Sequence, residues 1–191
     1  MRGLYAITPQ GPGLLEKVRA ALEGGIALLQ YRRKGGTLEE AKKILNLTRE
    51  YRVPLVINDS VELALAVGAE GAHLGRDDGD FSVARKKLKG KLLGASCYDQ
   101  PELAQAAVAA GADYVAFGSV FASPTKPGAV RAPLSLFASD LGVPKCAIGG
   151  ITLANAPQAI AAGADLLAVI SDLFDAPDIT ARARAYARLF R

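Results

Sequence analysis

Tryptophan is missing from the chain, histidine and methionine occur once each, and aromatic residues fill only 6% of its 191 positions. The core must therefore be aliphatic, and the apolar half of the residues is enough to build one without metal or disulfide support. Cysteine is nearly absent too: Cys97 and Cys146 have neither metal-binding nor redox spacing, so buried thiols are expected. No apolar run reaches the roughly 18 residues of a membrane span, and Met1-Arg2-Gly3-Leu4 enters a strand-like segment with no leader pattern. A cytoplasmic protein without membrane association is expected. Charge of either sign is mild, with a net +4. The one basic run, Arg85-Lys86-Lys87-Leu88-Lys89, reads as the solvated end of a helix, where cations favour the dipole. No basic stripe carries stacking aromatics, which argues against nucleic acid as a partner. No linker or low-complexity segment divides the chain, so a single domain spanning 1–191 is expected.

What the chain does have is a repeat. Gly68-Ala69-Glu70, Gly111-Ala112-Asp113 and Gly163-Ala164-Asp165 each follow an Ala-rich helical pattern and precede a short apolar run, at steps of 43 and 52 residues. A weaker copy is Gly24-Gly25-Ile26. A glycine there suits a left-handed helix C-cap that turns the chain back into a strand. Two βα units fit each step, so four copies imply eight strands. They are expected at Leu4–Ile7, Ile26–Tyr31, Pro54–Ile57, Gly71–Leu74, Leu92–Ser96, Tyr114–Phe117, Pro144–Ile148 and Leu166–Ile170. Amphipathic helical patterns alternate with them, including Leu134–Leu141 and Leu153–Ala162. Continuous apolar strands between helices imply a parallel sheet buried on both faces. Eight such units give the α/β fold of a compact (β/α)₈ TIM barrel. An open doubly wound sheet is the rival, but no GxGxxG follows any strand.

In such barrels function sits in the loops after the strands. Asn58-Asp59 follows the third strand and Asp77-Asp78 the fourth, so both acidic ends emerge on one edge. Two carboxylates and an amide there suit Mg²⁺, which keeps its other positions for water and substrate phosphates. Asp also caps helices at strand-to-helix turns, and the sequence leaves both roles open. After the second strand, alternation places Gln30, Arg32 and Lys34 on one face, where a basic pair needs an anionic partner. The loop after the sixth strand, Phe117 to Gly128, carries Gly, Pro, hydroxyls and Lys126, the profile of a phosphate-contacting lid. The glycines of Ala147-Ile148-Gly149-Gly150-Ile151-Thr152 and the Val169-Ile170-Ser171-Asp172 turn match the recurrent phosphate grip after strands seven and eight. A pyrophosphate-sized site with metal and cations thus faces a monophosphate site.

These stretches, in order, resemble the thiamine-phosphate synthase family over nearly the whole chain: LYAIT, QYRRK, INDS, HLGRDD, GASC, FGSVFASPTK, AIGGI and AVIS. The resemblance implies a Mg²⁺-dependent transferase of thiamine biosynthesis. It would join hydroxymethylpyrimidine pyrophosphate to thiazole phosphate and release pyrophosphate. It further implies that Gln30 touches the pyrimidine, that Arg32, Lys34, Asn58 and Lys126 hold the pyrophosphate, and that Asp59 and Asp78 hold the metal. Ser96 would lie against the pyrophosphate or pyrimidine, with Ser123, Thr125, Gly150, Ile170 and Ser171 on the thiazole phosphate. The number of subunits is left open, a homodimer included.

Four positions depart from that pattern: Ser60 for Arg, Arg76 for Gln, Tyr98 for His, and Ala122-Ser123 for Pro-Thr. Arg76 could add a cation near the pyrophosphate. Two other readings share the barrel. A thiazole tautomerase would need a general acid or base over the thiazole, and the FGSVF loop offers Ser119 but no histidine. A non-catalytic phosphate-binding barrel would bind without turnover.

Overall fold

Each short apolar run becomes a strand whose side chains alternate between two aliphatic layers. The computed structural model describes residues 1–122 and 130–191. Among them the strands are β1 (Gly3–Ile7), β2 (Leu28–Tyr31), β3 (Leu55–Asn58), β4 (Gly71–Leu74), β5 (Leu92–Tyr98), β6 (Tyr114–Gly118), β7 (Lys145–Ile148) and β8 (Leu166–Val169). All pair in parallel with their neighbours, and β8 returns to β1 to close an eight-stranded barrel. Inside lies a small cluster that includes Tyr5, Ile7, Leu28, Val56, Tyr114, Cys146 and Leu166. A larger aliphatic layer separates the barrel from its helices. Both thiols are buried, as expected. No helix among the described residues is long and apolar enough to cross a membrane.

The helices are α1 (Leu14–Glu23), α2 (Leu38–Glu50), α3 (Val61–Val67), α4 (Phe81–Lys87), α5 (Pro101–Ala109), α6 (Ala156–Ala161), α7 (Ser171–Phe174) and α8 (Ile179–Arg188). Three segments differ from the sequence reading, the first being Ser171–Phe174, a short helix where a turn was expected. Leu134–Ala138 forms a 3₁₀ turn where a longer helix to Leu141 was expected, because Ser139 turns to extended backbone and its hydroxyl donates to the Leu136 carbonyl at 2.7 Å. The expected helix from Leu153 starts only at Ala156, with Pro157 in its first turn, because Thr152 to Asn155 are drawn into a hydrogen-bonded loop. Nor is the basic run after β4 simply solvated. Arg85 folds back, half-buried, onto Asp113 at 2.8 Å and onto the carbonyls of Leu88, Lys91 and Gly111.

The repeat has a physical meaning at the barrel's lower end. Gly68, Gly111 and Gly163 take positive φ, and the acid two residues later reaches back to the strand before it. Glu70 accepts from Leu55 N–H at 3.0 Å, Asp113 from Leu93 N–H at 2.7 Å, and Asp165 from Lys145 N–H at 2.9 Å. The first copy is weaker because Ala27 stands in the acid's place. Asp165→Ala should leave the Lys145 amide without a partner and destabilise the fold by about 1–3 kcal/mol, whereas Asp165→Asn, which keeps an acceptor, should recover most of that. Urea midpoints of the two variants check it, and equal midpoints would mean that water serves the amide.

Candidate active site

Parallel closure brings the C-terminal ends of all eight strands to one rim, which is where the chemistry-bearing residues cluster. Gln30, near the end of β2, turns into the barrel and is only 3% exposed. Arg32 and Lys34 follow it at the exposed mouth. The Arg32 backbone is fixed from β1: its N–H donates to Thr8 Oγ1 at 2.8 Å, and that hydroxyl donates back to the Arg32 carbonyl at 3.1 Å. Arg33 points elsewhere, to Glu40 at 3.1 Å and the Gly11 carbonyl at 2.9 Å. It braces the loop that carries the other two cations.

The open question about the acids is resolved by the helix caps. Ser60 caps α3 through Leu63 N–H, and Asp80 caps α4 through Ser82 and Val83 N–H. Asp59 and Asp78 cap neither helix. Asp59 instead sits in left-handed backbone at φ 64, a conformation that costs energy outside glycine and collects at functional sites. Its N–H is tied to the His73 carbonyl at 2.8 Å, which anchors the turn to β4. Asp78 accepts from Gly75 N–H at 2.6 Å. Partial burial, then the Asp78 carboxyl against it, push the Asp59 carboxyl up to about 6, although Arg32 and Asn58 pull the other way. The two acids crowd each other by more than Arg32 compensates. The donor set is all oxygen, as a Mg²⁺ site requires, and Asn58 adds an amide at the end of β3. No group of three or more His, Cys, Asp or Glu side chains gathers among the described residues, so the metal reading rests on this pair.

Below the acids a chain of hydrogen bonds crosses the barrel interior. Gln30 Nε2 donates to Tyr5 OH at 2.6 Å, Tyr5 OH meets Tyr114 OH at 2.8 Å, Tyr114 OH meets His73 Nδ1 at 3.0 Å, and His73 Nε2 meets Ser96 Oγ at 2.9 Å. With the Gln30 amide donating, one direction leaves no buried hydroxyl proton without an acceptor. It runs Gln30 to Tyr5 to Tyr114 to His73, places the imidazole proton on Nε2, and frees the Ser96 hydroxyl to donate into the site. Burial pushes His73 down to about 4, so the ring is neutral. The family resemblance proposes Gln30 and Ser96 as substrate contacts, and the sequence reading passed over Tyr5, His73 and Tyr114, which look like strand residues. Their shared hydrophilic tips on inward positions were the available signal.

Across the rim, Gly150 follows β7 at φ 66, and a Cβ there would run into the Ala122 carbonyl and stand 2.6 Å from that of Phe121. Asn155 fixes the loop, donating from Nδ2 to the Gly150 carbonyl at 2.9 Å and accepting from Thr152 N–H at 2.8 Å. Ile170 precedes α7 and Ser171 opens it, so their amides lie at a helix start that has no preceding turn to bond. Asp172 joins the two loops, accepting from Leu153 N–H at 3.3 Å, Arg182 at 2.7 Å and Tyr186 OH at 2.7 Å. Ser123, Thr125 and Lys126, together with the lid read into that loop, lie outside the described residues.

The comparisons with known proteins agree with one another. A family model described as thiamine monophosphate synthase matches residues 4–173. The thiamine-phosphate synthase of Aromatoleum aromaticum is 57% identical over 201 residues, covering 100% of this chain and 97% of that protein. That of Chromobacterium violaceum is 52% identical, with the same coverage of each. Among solved structures, the thiamine phosphate pyrophosphorylase of Pyrococcus furiosus superposes with a TM-score of 0.87 at 36% identity, over 98% of this chain and 94% of that one. By sequence and by fold, the chain belongs to the thiamine-phosphate synthase family.

Proposed function

We propose that this enzyme, acting in the cytoplasm with Mg²⁺, joins hydroxymethylpyrimidine pyrophosphate to thiazole phosphate, giving thiamine phosphate and pyrophosphate. The observation that carries the reading is the Asp59–Asp78 pair, crowded at the rim beside Arg32 and not spent on helix caps. Asp59 and Asp78 would hold the metal, which when bound supplies positive charge beside the phosphate oxygens. Arg32, Lys34 and Asn58 take the remaining pyrophosphate charge, and Lys126 joins them on the strength of the sequence alone. As the bond from the pyrimidine methylene to the pyrophosphate oxygen breaks, its electron pair leaves with the pyrophosphate. Fixed cations are therefore worth most as that charge grows. The thiazole nitrogen lone pair then closes the new C–N bond.

No proton has to move for this exchange, which suits a site whose one histidine is neutral with both ring nitrogens engaged inside the barrel. Gln30 and Ser96 orient the pyrimidine, while Gly150, Ile170 and Ser171 hold the thiazole phosphate from the opposite loops, with Ser123 and Thr125 added by the family pattern. The curated relatives favour the synthase over the tautomerase and the passive barrel. Purified protein given both substrates should form thiamine phosphate and pyrophosphate in equal amounts with Mg²⁺ and stop on chelation. Binding of both substrates with no product would overturn the proposal in favour of the passive barrel.

A further inference from the structure

Arg76 and Tyr98 touch each other at the mouth of the barrel. The Arg76 guanidinium lies over the Tyr98 ring, 4.9 Å from its centroid, and Arg76 N–H approaches Tyr98 OH at 3.5 Å. Both belong to the corner that holds Asp78. A Cβ on Gly75 would stand 3.0 Å from Asp78 Oδ2 and 3.4 Å from Tyr98 OH, so carboxylate and phenol flank the same glycine. Tyr98 reaches this place at some cost. The β5–β6 register shifts between Ser96 and Tyr98, and Tyr98 adopts φ 54, one of three non-glycine residues with positive φ among those described. Bulges next to active sites commonly re-aim a side chain, and here the result is a large ring left 39% exposed at the mouth. Arg76 makes no salt bridge among the described residues, in contrast to Arg33, Arg85 and Arg182, which are each tied to an acid. A guanidinium stacked on an aromatic face keeps its in-plane N–H donors free for a planar or bidentate anion.

We propose that Arg76, held on the face of Tyr98, is a further binding cation for the pyrophosphate group, and that Tyr98 is its positioning residue. This rests on the proposed function, because the anion meant is the one beside Asp59 and Asp78. Stacking limits the rotamers of a long side chain before substrate arrives, so less entropy is lost when the phosphate binds. The pair therefore supplies an arginine at the Asp78 corner, in addition to the Arg32 that faces Asp59.

The test is steady-state kinetics of the full chain with Mg²⁺, alongside product inhibition by inorganic pyrophosphate. Arg76→Gln should raise the KM for the pyrimidine pyrophosphate and the Ki for pyrophosphate together, about tenfold, and leave the KM for thiazole phosphate in place. Tyr98→Leu should reproduce about a third of that rise, and Tyr98→Phe, which keeps the ring, should restore most of it. In the Arg76→Gln/Tyr98→Leu double variant the effects should not add, since the ring acts only through the guanidinium. An unchanged pyrophosphate Ki in Arg76→Gln would overturn the inference, as would an equal rise in the thiazole phosphate KM. Because the unaltered protein is assayed in parallel, its failure to make product would instead defeat the proposed function.

Discussion

Asp59→Asn should yield a folded barrel that has lost Mg²⁺-dependent turnover by at least two orders of magnitude. The substitution is close to isosteric, and asparagine tolerates left-handed backbone better than almost any other side chain, so the φ of 64 is not a reason to unfold. The α3 cap is also untouched, because Ser60 supplies it. What changes is charge. A contact that strengthens as negative charge develops on the leaving group is worth on the order of 3 kcal/mol, or about a hundredfold in rate, and losing the proposed metal ligand removes at least one such contact. Stability should move the other way. The Asp59 carboxyl is raised to about 6 from its usual value of 3.8, so the folded state favours its protonated form. The stability this provides is complete below about pH 3.8 and is lost as pH rises through about 6, so near neutrality the metal-free protein carries an unfavourable charge that Asn lacks. Thermal melts at pH 7 should show Mg²⁺ stabilising the unaltered protein and having no effect on Asp59→Asn. Undiminished turnover in the variant would remove the pair from the metal site.

Much of this was legible in the sequence because it depends on local pattern. Eight apolar runs between helical patterns became eight strands, displaced by no more than two residues at their ends. The glycine of each repeat announced a helix cap from its own chemistry. The acids of the repeat were visible as letters, but their reach back to Leu55, Leu93 and Lys145 depends on strand pairing, which no single segment encodes. Asp59 and Asp78 could be placed on one edge from topology alone. Whether they capped helices turned on Ser60 and Asp80, which compete for that role within two residues and win on geometry. Least legible was the interior. Tyr5 and Tyr114 are 109 residues apart and meet only because the barrel closes between them.

The same closure gives Tyr114→Phe an effect out of proportion to one hydroxyl. Tyr114 is fully buried, lies edge-on to Tyr5 with centroids 5.8 Å apart, and stacks on His73 at 5.5 Å. Phenylalanine keeps all of that ring packing, so the variant isolates the hydroxyl. Its loss leaves the Tyr5 hydroxyl proton without an acceptor and His73 Nδ1 without a donor, in a protein where every buried side-chain polar atom among the described residues is paired. Each orphan costs about 1–3 kcal/mol, and relief from burying one hydroxyl returns part of it, so a net loss of about 2–4 kcal/mol is expected in urea unfolding. Activity should fall as well, by roughly tenfold in kcat/KM for the pyrimidine substrate, about 1.4 kcal/mol. The proton order that points the Ser96 hydroxyl into the site is set through this oxygen, and so is the partner that fixes the Gln30 amide. The KM for thiazole phosphate should not change, because Gly150 and Ser171 lie outside the network. Tyr5→Phe breaks the chain one step earlier and frees Gln30 directly, so it should cost more in pyrimidine binding than in stability at the His73 end. Native stability in Tyr114→Phe would show that the two freed groups find other partners, and that the chain across the barrel does not order its two ends.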